Sequence, residues 1–180
     1  MTRILVSPLS QLAAMAEKYQ PHDMITLINA GTPVIRPAII SESRHLCLYF
    51  NDVNEECEGL VAPAEEHVAA ILRFVESWKQ TAPLLIHCFM GISRSTAAAF
   101  ITACALNPDM KEKRLAIHLR EKAPSATPNA RLVSLADHLL GRQGRMNDAI
   151  KQIGRGCDAR EGSPFVLDFQ GEFNDVKIKI

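Results

Sequence analysis

Leu84-Leu85-Ile86 is an apolar run of strand length, and it delivers His87-Cys88 into a loop that contains Gly91 and ends at Arg94. An alanine-rich stretch, Thr96-Ala97-Ala98-Ala99-Phe100-Ile101, then begins a helix. Strand, short loop and helix in this order gather successive main-chain N–H groups at the positive end of the helix, which makes an anion site. A cysteine in that place is favoured as its thiolate by the helix end and by a neighbouring guanidinium. Arg94 adds a planar fork of donors that suits phosphate oxygens. A nucleophile and a phosphate cradle are thus expected in one loop.

His87-Cys88, five further residues and Arg94-Ser95 resemble the His-Cys-(x)5-Arg-Ser/Thr loop of the cysteine-dependent protein tyrosine phosphatase superfamily. The stretch Ile86 to Thr96 is most similar to the dual-specificity-type and bacterial tyrosine-phosphatase-like members. A bare Cys-(x)5-Arg recurs by chance. Here His precedes the Cys, Gly follows three later, Ser follows the Arg, and a strand and a helix flank the loop. The resemblance implies an α/β fold with a central, mostly parallel sheet flanked by helices. It also implies hydrolysis of a phosphate monoester, foremost phosphotyrosine in a protein (with dual specificity open), through a cysteinyl-phosphate.

A chain of 180 residues is most simply one domain with a proper core, here from about residue 4 to 140 with an extension over 141–180. Twenty acidic and twenty basic residues cancel, which gives no support to nucleic-acid or anionic-membrane partners. The apolar stretch at Ile4-Leu5-Val6 is too short for a signal peptide or a membrane span, so the cytosol is the expected compartment. Five cysteines without paired spacing argue against a disulfide framework and against a zinc site. Cys47, Cys104 and Cys157 read as small buried apolar residues.

Arg3–Val6 reads as a first strand, with Ser7-Pro8 a turn and Ser10 the N-cap of a helix over Gln11–Tyr19. Met24–Ile28 is a second strand, stopped by Asn29-Ala30-Gly31. Pro33 to Ile40 is irregular or an edge, because Pro33 and Pro37 do not suit a central strand. His45–Phe50 is a third strand, followed by an acidic loop, Val53–Gly59. Pro63 opens a helix with Val68, Ile71, Leu72, Val75 and Trp78 on one face. After the Cys88 loop a helix runs to about Leu106, and Asn107-Pro108-Asp109 breaks it and caps another from Met110 to about Lys122. Ala130–Leu140 and Met146–Ile153 are further helices. Residues 163–169 are a late strand or a packed segment, and the end at Lys177–Ile180 is expected to be disordered.

By the resemblance, Cys88 is the nucleophile and Arg94 the clamp on the phosphoryl oxygens. The N–H groups of Phe89, Met90, Gly91, Ile92, Ser93 and Arg94 hold the substrate. Ser95 eases departure of the thiolate, with a simple helix-start serine as the plainer alternative. His87 orients the loop and helps keep the thiol ionised, or is simply a satisfied core histidine. The leaving oxygen needs a proton, which a thiolate cannot supply. Asp52, at the end of a strand, matches the family's general acid, with Glu55, Glu56 and Glu58 as substitutes on the same loop. Asn129 resembles the asparagine that steadies the phosphate loop, and its place before a helix also reads as an N-cap.

No metal or organic cofactor is expected, because the loop and Arg94 supply the positive charge that a metal would bring. The partner is a phosphorylated protein or a small phosphate monoester. Rhodanese-type loops are one residue shorter between Cys and Arg. Phe89, Met90, Ile92 and Ser93 carry no charge, which disfavours inositide or polyphosphate substrates. The competing class is a non-catalytic phosphate-binding module that keeps the cradle but lacks a working acid.

Overall fold

The computed structural model describes residues 3–168. Five strands form one sheet: β1 (Arg3–Pro8), β2 (Asp23–Ile28), β3 (His45–Tyr49), β4 (Leu84–Cys88) and β5 (Phe165–Asp168), in the order β3-β2-β4-β1-β5. The first four are parallel, and β5 closes the β1 edge antiparallel. This is the expected central, mostly parallel sheet. β1, β2 and β4 are apolar runs because helices cover both of their faces, and Ile4, Leu5, Ile25, Leu27, Leu85 and Ile86 are wholly buried.

One helix, α1 (Leu12–Tyr19), covers one face and seats Leu12, Met15 and Ala16 on Leu5, Met24 and Leu85. The other face takes α2 (Glu65–Ser77), α3 (Arg94–Leu106), α4 (Glu112–Lys122), α5 (Ala130–Leu139) and α6 (Arg145–Ile153). Each aliphatic side chain taken wholly out of water there contributes about 1.5–3 kcal/mol. Eleven of the thirteen α3 residues are buried, and their small size lets this helix lie deep in the core. Among the described residues no helix is long and apolar enough to cross a membrane.

Tertiary bonds move several element ends from where local signals put them. The Leu9 N–H is drawn to Phe89 O (3.1 Å), so a single tight turn over Leu9–Gln11 intervenes and α1 starts at Leu12 with no side-chain cap. Ser10 is therefore not its N-cap. Pro63 stands before the cap residue Ala64, whose N–H is met by His67 Nδ1 at 3.0 Å. Trp78 lies just past α2, buried, with Nε1 donating to Ala82 O. Asn107-Pro108-Asp109 does break α3 but does not cap α4. The Met110 N–H turns back to Asn107 O, and α4 begins only at Glu112, whose carboxylate meets Arg142 and Arg145.

Within the extension, α6 packs on α4 and α5, and β5 supplies the late strand. Phe169 and the end at Lys177–Ile180 lie outside the described residues.

Candidate active site

Parallel strands present their C-terminal ends along one edge of a sheet, and clefts form there. At that edge meet Pro8 after β1, Asn29 after β2, Phe50 to Asp52 after β3, and the loop after Cys88. The loop's carbonyls are tied outward by four separate segments. Phe89 O accepts from Leu9 N–H (3.1 Å), Met90 O from Gly162 (2.8 Å), Ile92 O from Thr127 (2.9 Å) and Ser93 O from Asn129 (3.3 Å). A peptide held outward by its C=O turns its N–H the other way, which aims the N–H groups of Met90, Gly91, Ser93 and Arg94 toward the inside of the loop. Gly91 shows this directly, for its N–H points at Cys88 Sγ from 3.2 Å. It must be glycine: its φ is +69°, and a Cβ would stand 2.7 Å from Pro8 N.

Cys88 is 2% exposed, and Ser95 Oγ, on the first turn of α3, lies 3.1 Å from its sulfur. Arg94 is buried beside it. Nη1 donates to Asn29 Oδ1 and Phe50 O, both at 2.7 Å, while Nε has no hydrogen-bond partner. A buried guanidinium donor left open beside a ring of amides is a demand for an anion's oxygen. Asn29 was not among the residues read from the sequence, although its place directly after a parallel strand is the same signal that picked out Asp52.

Asp52 reaches the mouth of the loop. Oδ1 accepts from Ser93 Oγ (2.7 Å) and Asn129 Nδ2 (2.9 Å), and Oδ2 lies 3.9 Å from Arg94 Nε. Ser93 is the cap residue of α3, yet its hydroxyl serves Asp52 rather than the helix. The substitutes considered for Asp52 point elsewhere in one case: Glu56 pairs with Arg131 at 3.0 Å. Asn129 does cap α5, accepting from Leu132 N–H at 3.0 Å. Its amide side chain steadies the acidic loop, through Asp52 and Val53 O, and only its main-chain N–H reaches the phosphate loop. Asn54, also unread in the sequence, takes the Ala130 N–H at 3.1 Å and ties the same loop to α5.

His87 is wholly buried and its Nε2 meets Thr26 Oγ1 at 2.7 Å. Burial lowers its pKa to about 4, against a smaller raising effect from the Cys88 main chain and a lowering one from His45. The ring is neutral near pH 7, so it places no positive charge beside Cys88. Folded His87 thus binds a proton later than the unfolded chain does, and its stabilising contribution is present above pH 6.5 and lost as pH falls toward 4. The effect amounts to about 3 kcal/mol over that window. Urea unfolding at pH 7 and pH 4.5 checks it: wild type should lose more stability than His87→Gln, the difference isolating this ring from the carboxylates.

All five cysteines are free. Cys104 is buried as expected, and burial pushes its thiol up to about 12. Cys157 is exposed, not buried, because it follows α6 on a surface segment whose main chain bonds to Pro124 O.

The chain superimposes on solved phosphatase structures over most of its length. DUSP15 aligns with 82% of this chain and 88% of its own at a TM-score of 0.59 and 14% identity. The fold is that of the dual-specificity phosphatases. The human tyrosine phosphatase-like serine/threonine/tyrosine-interacting protein aligns with 77% of this chain and 91% of its own (TM-score 0.59, 18% identity). For the Yvh1 phosphatase domain from Chaetomium thermophilum the shares are 78% and 92%, at a TM-score of 0.56 and 20% identity. No family model matches the sequence, and no curated protein matches it. The dual-specificity-type architecture therefore stands on the backbone.

Proposed function

We propose that this chain is a phosphate monoester hydrolase that works through a cysteinyl-phosphate at Cys88. The observation that carries the reading is the convergence on one sulfur of Gly91 N–H at 3.2 Å and Ser95 Oγ at 3.1 Å, inside a loop whose amides face inward. In the first step the Cys88 thiolate attacks phosphorus, the P–O bond to the leaving group breaks, and protonated Asp52 delivers its proton to the departing oxygen. Arg94 and the loop amides meet the charge that spreads over the phosphoryl oxygens. In the second step the Asp52 carboxylate takes a proton from water, water attacks phosphorus, and the P–S bond breaks. Ser95 Oγ–H then stabilises the released thiolate. All the charge compensation in these steps comes from the chain itself.

The substrate class favoured is phosphotyrosine in a protein. Phe89 and Met90 are 51% and 38% exposed on the phosphate loop and offer an apolar lip to an aryl ring. The loop's lack of lysine disfavours a polyphosphate. One domain carries this function, with residues 141–168 belonging to it through α6 and β5. A dual-specificity-type binding module is the second reading; the positions of Ser95 and Asp52 beside Cys88 weigh against it, since a module that only binds needs neither.

The test is acid quenching during turnover of an aryl phosphate in the presence of a chelator, with mass spectrometry of the Cys88 peptide. A phosphoryl group on Cys88 supports the reading. Absence of both turnover and adduct, with vanadate still bound, leaves the binding module. Asp52→Asn should lower turnover by about 10²-fold with a poor leaving group and far less with an activated one. Equal losses across a series of leaving groups would move the proton donor to Glu55 or Glu58.

A further inference from the structure

Between α6 and β5 the chain crosses the phosphate loop, and both ends of the crossing are fixed. At one end Gly156 N–H donates to Thr127 Oγ1 (3.1 Å) and Cys157 N–H to Pro124 O (2.9 Å). At the other, β5 pairs with β1, and Phe165 and Leu167 are buried. Between them Gly162 is buried although Glu161, Ser163 and Pro164 beside it are exposed. Its N–H donates to Met90 O at 2.8 Å. A Cβ there would stand 2.6 Å from Gly91 O and 3.0 Å from Gly91 C. Main-chain atoms of the loop occupy the place where a side chain would begin, so the close approach requires glycine.

The carbonyl that Gly162 holds and the amide that faces the nucleophile belong to one peptide group. Met90 C=O and Gly91 N–H are opposite ends of a planar trans unit and point in opposite directions. Gly162 meets the oxygen end, while the other end points at Cys88 Sγ, 3.2 Å from Gly91 N. A bond accepted by the oxygen also polarises the group and strengthens its N–H as a donor. Without that hold the peptide could turn over, because the residue after it is Gly91, whose φ of +69° is one of two signs open to glycine. Turned over, it would aim the Met90 oxygen at the sulfur. A thiolate accepts hydrogen bonds and donates none, so an acceptor aimed at it disfavours the ionised form.

We infer that Gly162 is a positioning residue for Cys88: it holds the Met90–Gly91 peptide with its N–H toward the sulfur and so favours the thiolate. The catalytic consequence rests on the phosphatase reading above; the effect on the sulfur does not.

The experiment is alkylation of full-length protein by iodoacetamide at pH 6 and pH 9, read on the Cys88 peptide by mass spectrometry, beside aryl phosphate kinetics. Wild type, Gly162→Ala and Ser163→Ala are compared. Gly162→Ala should lower the ratio of the pH 6 rate to the pH 9 rate by about tenfold, as loss of one hydrogen bond to a charged group does. Its kcat/KM at pH 6 should fall by a similar factor, and Ser163→Ala should match wild type in both. A loop that was merely looser would speed alkylation at both pH values and leave the ratio alone. A second measurement needs no change at Gly162. In ¹⁵N–¹H spectra across a pH titration, the Gly91 and Gly162 amides of wild type should shift with one midpoint, and both shifts should vanish in Cys88→Ser. An unchanged alkylation ratio in Gly162→Ala overturns the inference, as does a Gly91 shift that Gly162 does not follow. A lowered ratio with kcat/KM intact overturns the catalytic part of the role. A wild type without turnover removes the phosphatase reading and leaves the alkylation ratio to decide the hold on Cys88.

Discussion

Cys88→Ser should abolish turnover of aryl phosphates, by about 10⁴-fold or more, while vanadate still binds. The hydroxyl is nearly the size of the thiol, so the loop keeps its shape around it. Gly91 N–H and Ser95 Oγ–H keep an acceptor to face. On the reading proposed above, what disappears is the nucleophile, because a serine hydroxyl does not ionise at neutral pH without a base beside it. The one imidazole next in sequence, His87, is turned away to Thr26 and cannot act as that base. Binding measured by calorimetry beside turnover measured by phenolate release separates the two losses. Turnover within tenfold of wild type would remove Cys88 from the reaction.

Arg94→Lys should lower kcat/KM by about 10³-fold and weaken vanadate binding as well, the opposite pattern in the binding arm. Charge survives this change, but the fork does not. Arg94 uses Nη1 to hold Asn29 Oδ1 and Phe50 O at 2.7 Å and has Nε left over, so one planar group ties two strand ends together and, on the proposed reading, keeps a donor for the anion. An ammonium cannot reach both acceptors and an oxyanion from one stem. Asn29→Ala should reproduce part of the defect, because the guanidinium then loses one of its two fixed contacts. Parity of Arg94→Lys with wild type in both measurements would leave the guanidinium a structural role only.

Much of the architecture was legible in the chain because its central strands are continuous apolar runs and its helices carry apolar stripes. Ile4–Val6, Met24–Ile28 and Leu84–Ile86 have no other way to hide both faces than a sheet covered on both sides. The element ends were less legible, since they answer to distant groups: Leu9 to Phe89 O, and Glu112 to Arg142. The cradle could be read because its parts are contiguous, from Cys88 to Ser95. Asp52 could be read from a strand end. Thr26 could not, because a hydroxyl in an apolar strand acquires meaning only when register sets it against His87. Gly162 could not either: nothing local shows that its N–H belongs to Met90 O, seventy-odd residues earlier.

That last bond has a bearing on the order in which the molecule is made. The main chain at Gly162 lies so close to the loop that a Cβ there would sit 2.6 Å from Gly91 O. On the ribosome, Cys88 to Arg94 emerge well before the segment that closes over Met90. The bond that holds the Met90 carbonyl outward is supplied by that segment, which β5 follows and anchors on β1. The loop from Cys88 to Arg94 is thus held in its final shape by one of the last segments of the described chain.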